Sequence, residues 1–232
     1  MGEPMGEMVE FPSNGTTGTG YLAVPGSGSG PGVVVIQEWW GLNDQIKEVC
    51  DRFASEGLVA LAPDLYRGEE TTSSDEAGRL MMALNIEQAA KDMSGAVDYL
   101  RRRDDVTGDG VGVTGFCMGG GLALWLATLR PDDVRAVVPY YGVIPWPGAQ
   151  PDFSELRAAV QGHYAANDGS ASPEMVAELD EKLTSMGKSA EFFVYPETDH
   201  AFANHHRPEV HVAEAAELAW QRTVDFFRTN LS

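Results

Sequence analysis

The chain predicts an α/β fold with a mostly parallel central sheet and helices on both faces. Three observations lead there. Runs such as Val33-Val34-Val35-Ile36 and Leu58-Val59-Ala60-Leu61-Ala62 are apolar at every position, as expected of strands covered on both faces. These runs alternate with helix-forming segments along the chain, the pattern of βαβ units. One such unit, Val111-Gly112-Val113-Thr114 followed by Gly115-Phe116-Cys117-Met118-Gly119-Gly120 and then Gly121-Leu122-Ala123-Leu124-Trp125-Leu126-Ala127, reads as strand, tight glycine turn and helix. Right-handed crossovers then put the C-terminal ends of the strands, and any site, along one edge of the sheet.

Taken in order, Tyr21 to Val24 and Val33 to Gln37 are strands joined by the glycine-rich loop Gly26 to Gly32. A helix capped by Asn43 or Asp44 runs to about Glu56 and stops at Gly57. Leu58 to Ala62 is a strand stopped by Pro63-Asp64, and a long helical region spans roughly Asp75 to Arg103. After the strand–turn–helix unit come strands at Val134 to Tyr140 and Ala158 to Tyr164, a helix at Pro173 to Met186, and a strand at Ala190 to Tyr195. An amphipathic helix from Pro208 to Arg228 closes the chain. At 232 residues a single domain is expected, and no insertion is long enough for a separate lid domain.

Composition narrows the function. Formal net charge is −19, which argues against binding to nucleic acid or to anionic membrane surfaces. No apolar run approaches the length of a membrane span. The N-terminus, Met1-Gly2-Glu3-Pro4-Met5-Gly6-Glu7, lacks the basic-then-apolar pattern of a secretory signal. Two cysteines, Cys50 and Cys117, make no disulfide framework, so a reducing cytoplasm fits best.

The glycine turn around Cys117 has the spacing of a nucleophile elbow, G-x-nucleophile-x-G, with cysteine at the attacking position. Free cysteines are usually buried and inert; the flanking glycines and the strand–helix context favour catalysis, because a thiolate attacks carbonyls directly. Such a nucleophile needs a histidine oriented by an acid, and the chain order expected is nucleophile, acid, histidine. Of the five histidines, His200 follows the last strand and is the expected base. His163 lies within a strand and reads as a core or edge residue. His205, His206 and His211 read as solvated, at or past the start of the last helix; they do not repeat every four residues, so a helical metal site is not expected. Asp168, in the loop after the preceding strand, is the expected acid; Asp199 adjoins His200 and cannot easily brace it. Glu38 sits beside Trp39 and Trp40 where a strand ends at the expected edge, and the amides of Trp39 and Met118 are candidate oxyanion donors. The Gly26 to Gly32 loop precedes a strand instead of following one, and the glycines Gly110-x-Gly112-x-x-Gly115 lie before and inside a strand, so neither reads as a nucleotide site.

The chain resembles the dienelactone hydrolases over nearly its whole length. The resemblance rests on Gln37-Glu38 with Gly41-Leu42-Asn43, Ala62-Pro63-Asp64-Leu65-Tyr66, the Cys117 turn, Tyr140-Tyr141-Gly142 and His200-Ala201-Phe202. It implies an α/β-hydrolase fold, no cofactor, no metal, and hydrolysis of a lactone or small ester by a Cys117–His200–Asp168 triad. It assigns Glu38 to thiol activation, Trp39 and Met118 to the oxyanion hole, and Tyr140 to the substrate pocket. The family's carboxylate-binding arginines are absent: Asn204 and Ser74 stand in their places, with Arg79 one helical turn away. Neutral acyl substrates are therefore expected, in an apolar pocket drawn from Trp39, Trp40, Met81, Met82, Tyr140, Trp146 and Phe202, with Asn204 and Arg79 as further candidate pocket residues. A carboxylesterase or thioesterase, or a ligand-binding protein without turnover, remains the alternative.

Overall fold

The structure is a computed structural model and describes residues 6–142 and 144–231. Eight strands form one sheet: β1 (Gly6–Ser13), β2 (Thr16–Ala23), β3 (Gly30–Ile36), β4 (Val59–Pro63), β5 (Val106–Phe116), β6 (Val134–Tyr140), β7 (Ala159–Ala165) and β8 (Ala190–Tyr195). Their order across the sheet is β1-β2-β4-β3-β5-β6-β7-β8. From β4 to β8 every neighbouring pair is parallel, while β1–β2 and β2–β4 are antiparallel. This is the α/β-hydrolase type of sheet, as expected from the sequence. The strand order reverses around β3 and β5, and a crevice forms beyond the C-terminal ends of the strands at such a point.

Six α-helices among the described residues cover the sheet: α1 (Asp44–Ser55), α2 (Ser74–Ala83), α3 (Ile86–Arg101), α4 (Met118–Leu129), α5 (Pro173–Ser185) and α6 (Ala213–Asn230). Val33, Val34, Val35 and Ile36 are all fully buried, because they alternate between two apolar layers. One layer joins Val34 and Ile36 to α3 and α4 through Met93, Val97 and Leu122. The other joins Val33 and Val35 to α1 and α6 through Ile46, Phe53, Val224 and Phe227. Helix α4 is buried at every position except Leu129, and this explains why its sequence is apolar all round.

Four boundaries differ from expectation. β1 has no counterpart in the sequence reading; it forms a hairpin with β2 through Asn14-Gly15, both at positive φ (40° and 94°), a turn whose twist suits paired strands. The long helical region is two helices. Leu84 turns extended and Asn85 caps α3 by accepting the Gln88 N–H at 3.0 Å. β5 starts at Val106, with a register shift between Val111 and Gly112. The last helix begins at Ala213, not Pro208. The reading of Met1 to Met5 lies outside the described residues. No helix among the described residues is long and apolar enough to cross a membrane.

Candidate active site

Cys117 sits between β5 and α4, at φ 55°, ψ −122°. Few non-glycine residues adopt that region, and doing so costs on the order of 1–3 kcal/mol. The surrounding backbone enforces it. A side chain at Gly115 would come within 2.1 Å of the Gly119 carbonyl, and one at Gly119 within 2.4 Å of the carbonyls of Ile36 and Gln37. The two glycines therefore let the turn close tightly and lie against the end of β3. The Cys117 N–H donates to the Tyr140 carbonyl at 3.1 Å, fixing the turn to β6.

His200, in the loop after β8, is hydrogen-bonded to Asp168 and lies beside Cys117. Its Nδ1 lies 2.6 Å from Asp168 Oδ2. Asp168 Oδ1 accepts the backbone N–H groups of Ser170 (2.7 Å) and Ala171 (3.0 Å). Burial alone would raise the Asp168 carboxyl, but the His200 contact and these amides outweigh it and hold it below the usual carboxylate range. Burial would likewise lower the His200 imidazole, but its hydrogen bond to Asp168 and its nearness to Cys117 outweigh that and hold it well above its ordinary value. Asp199, the rival acid, is exposed.

Glu38 follows β3 and is 2% exposed. Its Oε2 accepts the Asn204 amide at 2.9 Å and its Oε1 accepts the Tyr141 hydroxyl at 3.4 Å. Burial drives this carboxyl upward; the Asn204 hydrogen bond and the charges of His200 and Arg207 oppose the shift without cancelling it. The N–H of Met118, at the first position of α4, has no intrahelical acceptor. The Trp39 N–H likewise has no hydrogen-bond acceptor among the described residues.

A family model described as "Dienelactone hydrolase family" matches residues 19–231. The chain belongs to the dienelactone hydrolase family. It is 38% identical to "Protein usf" of Aquifex pyrophilus, over 98% of this chain and 100% of that protein. It is 34% identical to "Putative carboxymethylenebutenolidase" of Aquifex aeolicus (strain VF5), again over 98% and 100%. The crystal structure of "Putative Dienelactone Hydrolase" from Klebsiella pneumoniae superimposes with a TM-score of 0.85 at 29% identity, covering 96% of this chain and 98% of that one. As a member of the family, the chain is a hydrolase.

Within this dienelactone hydrolase frame, several expected pocket residues lie elsewhere. Tyr140 is 2% exposed and turned toward α6, its hydroxyl 2.7 Å from Thr223 Oγ1. Tyr141, just past the end of β6 at φ 38°, instead lies at the site, with its ring centroid 5.0 Å from that of His200. Sequence reasoning missed Tyr141 although the pair was in view. Phe202 is fully buried between Tyr141 and Tyr195, so it belongs to the core. Asn204 is buried against Glu38 and does not line an open pocket. Trp40 packs edge-on against Trp39 and lies under Arg207. Arg79 is exposed and paired with Glu76 at 2.5 Å; it borders a different cleft, with Leu65 and Leu84. Met82 is also exposed.

Met81 does line a cleft, of about 520 Å³, together with Leu124, Ile144, Phe153, Tyr164, Met175 and Leu179. No charged residue among the described residues lines it. It also touches Gly121, Gly142, Ser170 and Ala171, which connect it to the Cys117 helix, the Tyr141 turn and the Asp168 loop. Trp146 lies behind, its indole N–H donating to the Met81 carbonyl at 3.0 Å. His163 is fully buried, with Nδ1 2.9 Å from the Tyr195 hydroxyl and Nε2 3.1 Å from Thr223 Oγ1. Among the described residues, one group could hold a metal ion: Glu48, His205 and His206.

Proposed function

We propose that the protein hydrolyses a lactone or small ester, and that it prefers neutral acyl substrates. Cys117 is the nucleophile, His200 the base and Asp168 the acid that orients it. The Cys117 sulfur attacks the acyl carbonyl while its proton resides on His200. The amides of Trp39 and Met118 hold the oxyanion, worth roughly 3–4 kcal/mol per donor in comparable sites. Collapse expels the alkoxide, which takes the proton from His200 and leaves a Cys117 thioester. His200 then removes a proton from water, and hydroxide attack releases the acid and restores the thiol. Glu38 tunes the thiol. An attacking thiol works in a reducing compartment, in keeping with a cytoplasmic location.

The observation that carries the reading is Cys117 on a strained turn with His200, hydrogen-bonded to Asp168, beside it, next to a cleft with no charged lining among the described residues. The cleft favours apolar acyl groups, and nothing at Ser74, Arg79 or Asn204 offers a cation to a substrate carboxylate. A missing charge-assisted hydrogen bond costs about 1.5–3 kcal/mol, or about 10- to 150-fold in kcat/KM. The test compares a carboxylate-bearing lactone with a neutral lactone or ester of similar size. The neutral substrate should win by about that factor, and His200→Ala should lose on the order of 10⁴ in turnover. A clear preference for the carboxylate, or wild-type turnover by His200→Ala, would overturn the reading.

A further inference from the structure

Outside the catalytic centre, two side chains adjacent in sequence converge on a third from a distant helix. His205 Nε2 lies 2.6 Å and His206 Nε2 2.9 Å from the same oxygen, Oε2 of Glu48 on α1. The donor atoms of all three residues lie within 4.8 Å of one another. The two imidazoles stand edge-on, 88° apart with centroids at 4.5 Å, so their nitrogens approach one point from two directions. Glu48 Oε1 has no hydrogen-bond partner among the described residues. A tetrahedral zinc ion held at 2.0–2.2 Å by such ligands needs donor separations of about 3.3 Å, so Glu48 Oε2 has to part from the two nitrogens by well under an ångström.

The cluster is also braced. The His206 N–H donates to Asn204 Oδ1 at 3.0 Å, and the Asn204 amide donates to Glu38. Asn204 is 1% exposed, so the turn that carries both histidines is tied to the wall of the active site. All three metal-ligating side chains are partly open to solvent, which leaves room for water to complete the coordination. Two imidazoles and one carboxylate suit a borderline ion such as Zn²⁺, whereas Mg²⁺ and Ca²⁺ favour all-oxygen sites.

We propose that Glu48, His205 and His206 form a divalent transition-metal site that fastens α1 to the turn carrying Asn204. The sequence pattern hides it because the ligands come from two elements, not from one helix face. None of the three is hydrogen-bonded to Cys117, His200 or Asp168, so the site is separate from the triad.

Calorimetric titration of chelator-treated protein with Zn²⁺ tests it, since the Cys117 thiol is the obvious competing ligand. Wild type and Cys117→Ala should both bind one equivalent at this site and unfold at a higher temperature when loaded. The His205→Ala/His206→Ala double variant should bind it at least tenfold more weakly and show no thermal shift. His211→Ala should behave as wild type, and Mg²⁺ should not substitute. Should the double variant not fold, Glu48→Gln gives the same comparison. Undiminished binding by the ligand variants, loss of all binding in Cys117→Ala, or no saturable binding by wild type would overturn the site.

Discussion

The two cysteines show how placement decides chemistry. Cys50 is fully buried on the inner face of α1, and burial pushes its thiol upward, with Asp51 adding to the effect. Cys117 is part-exposed, beside His200 and at the start of a helix, where reagents can reach it. Iodoacetamide should therefore alkylate Cys117 first in the native protein, with activity lost in parallel. Mass spectrometry of the labelled peptides reads the order; faster labelling of Cys50 with activity retained would sink the assignment. At Glu38, burial decides again. Asn204 gives the carboxyl a neutral hydrogen bond, and the upward shift from desolvation survives it.

At the scale of elements, the decisive contact is the packing of the Cys117 turn against β3. The turn is held by close backbone approach, so it tolerates no Cβ at Gly119. Gly119→Ala would place a methyl 2.4 Å from the carbonyls of Ile36 and Gln37, and the start of α4 would have to shift. Overpacking of this kind costs about 1–3 kcal/mol. Urea unfolding should show that loss, and acyl turnover should fall more steeply than stability because Cys117 and the Met118 amide move together. Unchanged turnover in a destabilised variant would separate the turn from catalysis.

For the whole molecule, His163 couples the core to pH. Complete burial, assisted by the charge of Arg222, lowers its pKa to about 3, whereas in the unfolded chain it titrates near 6.5. Its contribution is full above 6.5 and is lost as pH falls toward about 3, because only the unfolded chain takes up the proton. His200 runs the other way: its raised value contributes fully below 6.5 and is lost as pH rises. Between pH 6.5 and 5, wild type should lose about 1.5–2 kcal/mol more than His163→Gln, as measured by urea unfolding at the two values. Equal losses would mean that His163 takes up its proton in the native state too.

The sequence by itself determined the alternation of strands and helices, the turn around Cys117, and the order Cys117, Asp168, His200. These follow from local rules: apolar period, glycine at a tight turn, and loops at the ends of parallel strands. Some missed features were local as well, since Asn14-Gly15 marks the hairpin and Asn85 the break between α2 and α3. Only the tertiary structure decided which tyrosine faces the site, that Arg79 is spent on Glu76, and that Asn204 reaches Glu38 across 166 positions of sequence. It also brought Glu48 to His205 and His206, 157 and 158 positions away. The reason is physical: turn and strand geometry is set by a few neighbouring residues, whereas what a side chain meets depends on how distant segments pack.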